Sequence, residues 1–596
     1  MDKISSVIRV ARFSWTYSVK IAGKKIWLLL FYLTYKNIHP IINAYFIKLA
    51  IDTLTQVGQA EPSLIIRNIA FILIAHFLVD SWDNFSFRHS LVLSRTLQRK
   101  LLSGIDVDLA YKNASLPITT IENSKFKDKY TLVKREAGFR LYPLVDQSVN
   151  IVAGLITFIA TAVLLVGFNP LYLPILLILQ VPRLFLIKPA LNKVTHRASL
   201  SAKLSRHWDI YLDFLEGIKG SYEARILKIK EVVNKRLLNI QEQTVGLFEK
   251  TESELLFPRV ATAIVPMMGV FTIAFMAAKD VVSKATSIGD WQLIVNTAHR
   301  LGELSKRIID DIGSLSEASI FVDKLVEVLE MEEETSFGNE IEIGNVKSLE
   351  FDNVSFKYPN TKQFALRNVS FVVNEAENVA IVGHNGAGKT TLVKLLCRFY
   401  EPSEGVIKLN GIDIRDYDLS TYWGILSALF QDFETYGVSA KESIGFGDIK
   451  NLSNQTRIEK VAKLTGIHKY LSSLPKGYET PLIRDLENGV GLSTGQWQKV
   501  AISRALFRKS KIIILDEPTS NIDPESEEDI FNKLIRTVNK RMMFLISHRF
   551  STVKRANRII VIDSGKLTEQ GSHKELMAQN GLYAKLFRIQ SESYKE

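Results

Sequence analysis

Gly383-His384-Asn385-Gly386-Ala387-Gly388-Lys389-Thr390 follows the phosphate-loop pattern G-x-x-x-x-G-K-[ST] without a departure. The run Asn378-Val379-Ala380-Ile381-Val382 before it reads as a buried strand. Thr391-Leu392-Val393-Lys394-Leu395-Leu396 after it reads as a helix start, so the strand–loop–helix setting is met. The glycines let the backbone curl so that successive N–H groups face the β- and γ-phosphates, and the helix N-terminus adds positive potential. Lys389 supplies a point charge, and the Thr390 hydroxyl can ligate Mg²⁺. The stretch predicts an α/β domain that binds a nucleoside triphosphate with Mg²⁺. Its phosphate site is Gly383, His384, Asn385, Gly386, Ala387, Gly388, Lys389, Thr390 and Thr391.

Further along, Lys511-Ile512-Ile513-Ile514-Leu515-Asp516-Glu517 is an apolar strand ending in two carboxylates. Asp516, at the strand tip, is placed to hold Mg²⁺ through its water shell. Glu517 is placed to polarise the water that attacks the γ-phosphate. A phosphate loop followed by such a pair in one domain predicts an ATPase.

The part of the chain ahead of the loop is different in kind. Of 596 residues, about the first 330 hold long apolar runs, while the last 250 alternate strand-like and helix-like patterns. Six runs approach the roughly 20 residues that cross a bilayer: 26–50, 64–87, 144–168, 170–190, 254–279 and 286–312. The first is interrupted by Lys36, His39, Pro40 and Lys48, and the sixth is poor, so hydropathy alone gives four to six spans. Segments 50–63 and 167–170 lack Lys and Arg, whereas 88–143 and 191–253 are strongly basic. The positive-inside rule then puts the long loops, the N-terminus and the nucleotide domain in the cytoplasm of an inner-membrane protein. The net charge of +12 is explained by these loops and calls for no nucleic acid. Residues 1–25 mix basic and apolar side chains and predict an amphipathic helix lying at the membrane interface. The single cysteine, Cys397, excludes an intrachain disulfide.

Leu492-Ser493-Thr494-Gly495-Gln496 resembles the L-S-G-G-Q signature of ATP-binding cassette (ABC) transporters, and it stands about 100 residues beyond the phosphate loop. Six spans followed by one cassette resemble the half-transporters of the type IV exporter fold. The resemblance implies a membrane α-helical domain of six transmembrane helices with long cytoplasmic extensions, followed by an α/β P-loop cassette. The expected boundaries are 1–330, a linker over 331–346 that includes the acidic run Glu330 to Glu334, and 347–596. It also implies a second subunit, identical here, because two cassettes of this family meet head to tail. Each ATP then lies between the phosphate loop of one and Ser493, Thr494, Gly495 and Gln496 of the other.

Other positions carry family roles by the same resemblance. Tyr358 matches the aromatic that stacks on adenine, and Gln431 the glutamine that reaches Mg²⁺ and the attacking water. Asp523 matches the loop communicating between the two sites, and His548 the switch histidine that bonds the γ-phosphate. Glu487 matches a glutamate near the coupling loops, the first of which resembles 121–128 and the second 215–221. Thr494 departs from the pattern, since the family usually has glycine there; a Cβ loses easy access to φ > 0. The implied function is an ATP-driven exporter of an unidentified substrate, with lipid-linked flipping, import or a non-transport regulatory ATPase as alternatives. In the sixth run, either the charges after Glu303 lie on an extramembrane extension, or His299, Arg300 and Glu303 face a water-filled pathway for a polar or charged cargo.

Overall fold

The computed structural model describes residues 2–58, 61–334, 341–359, 361–538 and 541–592, so part of the 331–346 linker lies outside the described residues. Its contacts divide into two units, Met1–Ser115 with Ser124–Met331, and Leu116–Asn123 with Glu332–Glu596. The helices through the first unit and its inserted segment are α1 (Asp2–Ala22), α2 (Lys25–Leu54), α3 (Pro62–Ser115), α4 (Ile118–Ile121), α5 (Ser124–Phe168), α6 (Tyr172–Glu216), α7 (Ile218–Ile226), α8 (Lys230–Val282) and α9 (Ile288–Leu329).

Six of them are long. At 1.5 Å per residue the 54 residues of α3 reach about 80 Å, far beyond the roughly 30 Å of a hydrocarbon core. The basic segments 88–143 and 191–253 are therefore helix continued past any membrane, as their charge requires. Among the described residues, α3 and the Arg140–Phe168 part of α5 are long and apolar enough to cross a membrane, and Tyr172–Val181 of α6 is a shorter apolar stretch. The other long helices carry polar residues whose partners lie on neighbouring helices. His39 Nε2 meets Asp80 Oδ1 at 2.9 Å, and Arg307 donates to Asn37 Oδ1 at 3.3 Å and Asn150 Oδ1 at 2.9 Å.

Two expectations gain detail here. The sequence predicts an amphipathic helix over residues 1–25, and α1 buries Val10, Ser14, Tyr17 and Ser18 against α3, α5 and α9. Tyr17 donates to Asp108 Oδ2 at 2.8 Å, and Arg9 pairs with Asp323, so these two polar groups find partners within the bundle. The sixth run also divides differently. His299 and Glu303 are more than half exposed, but Arg300 turns to α2, where Nε and Nη2 reach the Asn37 carbonyl oxygen at 3.3 and 3.1 Å. A half-buried guanidinium needs acceptors, and that carbonyl supplies one.

Among the described residues of the second unit, ten strands form two sheets: β1 (Ser348–Phe356), β2 (Leu366–Asn374), β3 (Asn378–Val382), β4 (Glu404–Leu409), β5 (Ile412–Asp413), β6 (Leu426–Leu429), β7 (Ile512–Asp516), β8 (Met542–Ile546), β9 (Arg558–Asp563) and β10 (Lys566–Gly571). One sheet is antiparallel, in the order β2-β1-β4-β5; the other runs β10-β9-β3-β8-β7-β6 and is parallel except for its β10 edge. β3, β7 and β8 are buried along their whole length, which explains their unbroken apolar sequences: helices cover both faces of a parallel sheet.

Register now places the chemistry. Ile381 pairs with Ile546, and Ile546 with Asp516, so β3, β8 and β7 end at one level. Leu429 pairs with Leu515, which brings the end of β6 alongside. Four loops that are far apart in sequence therefore open at the same edge, the usual ligand side of a parallel sheet.

The candidate ATP-hydrolysis site

After β3 the chain turns through Gly383, Gly386 and Gly388 at φ of 155°, 80° and 109°. A Cβ on Gly388 would sit 2.8 Å from the Ala365 carbonyl oxygen, and one on Gly383 2.0 Å from that of Ile562, so both positions also need the missing side chain for space. Lys389 opens the following helix, Lys389–Leu396, and folds back to donate to the carbonyl oxygens of Gly383 and His384, both at 2.9 Å. An ammonium has three donors, so one remains for a ligand. Burial lowers the Lys389 pKa, opposed by Glu517 and Asp516. Thr390 is exposed at the helix start, where its hydroxyl can ligate.

Asp516 is buried at the tip of β7, and its Oδ2 has no hydrogen-bond partner among the described residues. Burial, then the charge of Glu517, pushes its pKa up to about 6. An orphaned buried carboxylate oxygen beside a phosphate loop fits a cation better than it fits an empty site. Glu517 next to it adopts φ 48°, a left-handed conformation that is uncommon without glycine. Two bonds hold this turn. Its N–H donates to the Ile546 carbonyl at 2.9 Å, and its own carbonyl accepts from Gln498 Nε2 at 3.1 Å.

The turn swings the Glu517 carboxylate between two partners. Gln431 Nε2 donates to Oε2 at 3.2 Å, and His548 Nε2 lies 3.1 Å from Oε1. The Gln431 side-chain carbonyl stays available to a metal. Burial and the nearby Lys389 charge lower the His548 pKa, so the ring is neutral at pH 7 and can share one proton with Glu517. Gly383, His384, Asn385, Ser547 and His548 border one cleft of roughly 430 Å³. Tyr358 sits beside the first turn of the phosphate-loop helix, its hydroxyl 3.1 Å from Thr391 Oγ1 and its ring edge-on to Phe356 and Tyr400.

The signature residues form a separate feature. Ser493 caps the helix Thr494–Phe507, accepting from the Gln496 N–H while Gln496 Oε1 accepts from the Ser493 N–H at 2.9 Å. Among the described residues, none of the hydrogen bonds of Lys389, Glu517 or His548 reaches Ser493. Thr494 is the first helical residue and has no positive φ, so threonine costs no backbone strain there. Gly495 is the constrained position: a Cβ would lie 2.7 Å from the Asn521 carbonyl oxygen. Asp523 caps the next helix by accepting from the Ser526 N–H at 2.8 Å, and Glu487 is exposed.

Three groups escape the motif reading. Buried Gln498 also accepts from the Asn521 N–H at 2.9 Å, so it joins the signature helix to the turn after Glu517. Buried Glu527 accepts from Thr519 at 2.8 Å and pairs with Arg549, which also donates to the Ser520 carbonyl at 3.1 Å. No spacing rule marks either, because both act through tertiary contacts. The third is Glu122, beyond α4. It accepts from Lys394 Nζ at 2.8 Å and from the Tyr400 hydroxyl, within the unit that contains the cassette. The sequence reading centres that coupling segment on 121–128, but residues from Ser124 onward belong to α5, and the segment that packs on the cassette is Leu116–Asn123.

Residues 366–520 match the family described as ABC transporter. The chain is 29% identical over 566 residues to the subtilin transport ATP-binding protein of Bacillus subtilis, covering 94% of this chain and 90% of that one. It is 35% identical over 328 residues to the ATP-dependent lipid A-core flippase of Pseudomonas aeruginosa, which is 55% of this chain and 52% of that one. It therefore spans about half the length of such flippases. A bacterial Atm1-family ABC exporter solved with ATP bound shares the fold, with a TM-score of 0.76 at 22% identity over 97% of this chain and 98% of that one. A helical membrane domain followed by a cassette is thus the architecture. Residues 366–520 are thus an ABC transporter domain, and the chain is an ATP-hydrolysing transporter with the exporter fold.

Proposed function

We propose that two identical copies of the chain form an exporter in the cytoplasmic membrane, with the cassettes and N-termini on the cytoplasmic side. The observation that carries this is the division of the site: the phosphate loop, Asp516, Glu517, Gln431 and His548 converge, while the exposed N-terminus of the signature helix bonds to none of them. A helix N-terminus with free N–H groups is an anion site. In the proposed dimer it serves the ATP held by the other copy, through Ser493, Thr494, Gly495 and Gln496.

Bound Mg²⁺ would neutralise phosphate charge, with Thr390, Gln431 and Asp516 as the residues that hold it. Lys389 binds the phosphates through its remaining N–H. Tyr358 packs on the base. Glu517 accepts the proton of the attacking water, while Gln431 and His548 fix its carboxylate by its two oxygens. The Glu527–Arg549 pair ties the turn after Glu517 to the turn carrying His548, and Asp523 caps the helix that carries Glu527. Closure of the two cassettes on ATP is the motion that the helical extensions would transmit.

Subtilin-class cargo is the first to test, because the likeness to that relative extends over the helical unit. Flipping of a lipid-linked substrate is the second reading, supported by the flippase matches over about half of each chain.

Mixed subunits test the shared site. Lys389→Ala and Ser493→Arg chains should each be inactive alone. A mixed dimer has one intact composite site, so ATPase activity should reappear in the mixture. A verified mixed dimer that stays silent refutes independent composite sites.

A further inference from the structure

Among the described residues the His548 ring bonds in the site to Glu517 alone, so its position depends on the short turn that carries it. On one side that turn is braced by Arg549, which pairs with Glu527 and donates to the Ser520 and Ile522 carbonyl oxygens at 3.1 and 3.2 Å. The other side is braced from elsewhere in the chain. The short helix Phe550–Val553 begins without a side-chain cap of its own. Its first N–H, that of Phe550, donates instead to Gln590 Oε1 at 3.0 Å, from the helix Leu582–Glu592. The same helix clamps the Phe550 ring between Tyr583 and Phe587, with centroids 5.4 and 5.6 Å away. Tyr583 is fully buried and lies 2.8 Å from His573 Nδ1, so the clamp is itself anchored. Leu586 of that helix borders the phosphate cleft beside His384 and His548.

We infer that Gln590 is a positioning residue for ATP hydrolysis: it fixes the backbone two residues after His548 and so keeps the imidazole on Glu517. A first-turn N–H is an orphan donor that needs an acceptor. Supplying that acceptor from a distant helix makes the orientation of the turn depend on Leu582–Glu592. The inference rests on the reading of His548 as part of the site. Gln590 touches neither the phosphate loop nor Lys389, so its loss should act on turnover and leave ATP binding intact.

Gln590→Leu removes the acceptor while keeping size and helix propensity, and Gln590→Glu keeps an acceptor oxygen. In the full-length reconstituted protein, Gln590→Leu should lower kcat about 3- to 10-fold with KM for ATP within about twofold, the scale set by one hydrogen bond. Gln590→Glu should retain more than half of the parental kcat. His548→Ala serves as the reference and should be nearly inactive. Parental kcat in Gln590→Leu, or equal loss in the Leu and Glu variants, overturns the inference while leaving the site reading intact. Parental activity in His548→Ala overturns the site reading on which it depends. Thermal unfolding separates a misfolded variant, and exchange of the Phe550 amide gives a second readout. That amide should exchange faster in Gln590→Leu, and unchanged protection counts against the inference.

Discussion

The two residues after Ser493 should respond to substitution in opposite ways. Thr494 stands where the family pattern has glycine, so motif logic alone expects Thr494→Gly to repair the site. The structure puts Thr494 in the first turn of a helix, exposed and without positive φ. Glycine there relieves nothing and costs about 0.3 kcal/mol of helix propensity, less than a twofold change. Gly495 is different. A Cβ would stand 2.7 Å from the Asn521 carbonyl oxygen, about 0.7 Å inside an ordinary contact. Because Asn521 is fixed through its N–H to buried Gln498, the strain passes to the turn after Glu517. Overpacking of that kind costs about 1–3 kcal/mol, equivalent to roughly 5- to 150-fold in a rate that depends on the geometry. Steady-state ATPase of purified, reconstituted protein, with thermal unfolding as the control, measures both. Thr494→Gly is expected within twofold of the parent, and Gly495→Ala at least fivefold down. A tenfold gain in Thr494→Gly, or full activity in Gly495→Ala, would refute the reasoning.

Three further expectations follow from the same contacts. Glu517→Gln should keep ATP binding but lower turnover by roughly 10²–10⁴-fold, the range of general-base catalysis; parental turnover would reassign the base. Glu122→Ala removes the acceptor shared by Lys394 and the Tyr400 hydroxyl, a pair of contacts of about 1 kcal/mol at a partly exposed site. Amide exchange over 116–123 should quicken about fivefold, and unchanged protection would show that the segment docks by other means. His548 has a folded-state pKa below its usual 6.5, so the folded state binds fewer protons than the unfolded chain as pH falls through 6.5. The stability tied to neutral His548 is complete above that value and is lost below it, down to the folded-state pKa. The thermal midpoint of His548→Ala should therefore fall less steeply between pH 7 and 5 than that of the parent.

The phosphate loop, the acidic strand tip and the signature were legible in order because each recognises its target with consecutive residues. A backbone that must curl round a phosphate needs glycine at set spacings, and a parallel strand buried on both faces must be apolar along its length. The long basic segments were legible for a similar reason, since charge excludes them from lipid whatever they pack on. Hydropathy ranked the spans less well. Arg300 and Arg307 lower the apparent apolarity of α9, yet their acceptors lie in α2 and α5.

What only the tertiary structure decided is the meeting of groups from different loops. The order β3-β8-β7-β6 sets Glu517 between Gln431 and His548, and no local pattern encodes an order that skips along the chain. The tolerance of Thr494, the constraint at Gly495, and the bracing by Gln498, Glu527 and Gln590 also arise from contacts between distant segments. Sequence specifies such contacts only through the whole fold. A single hydrogen bond or a close carbonyl leaves no periodicity, spacing or composition by which it could be read.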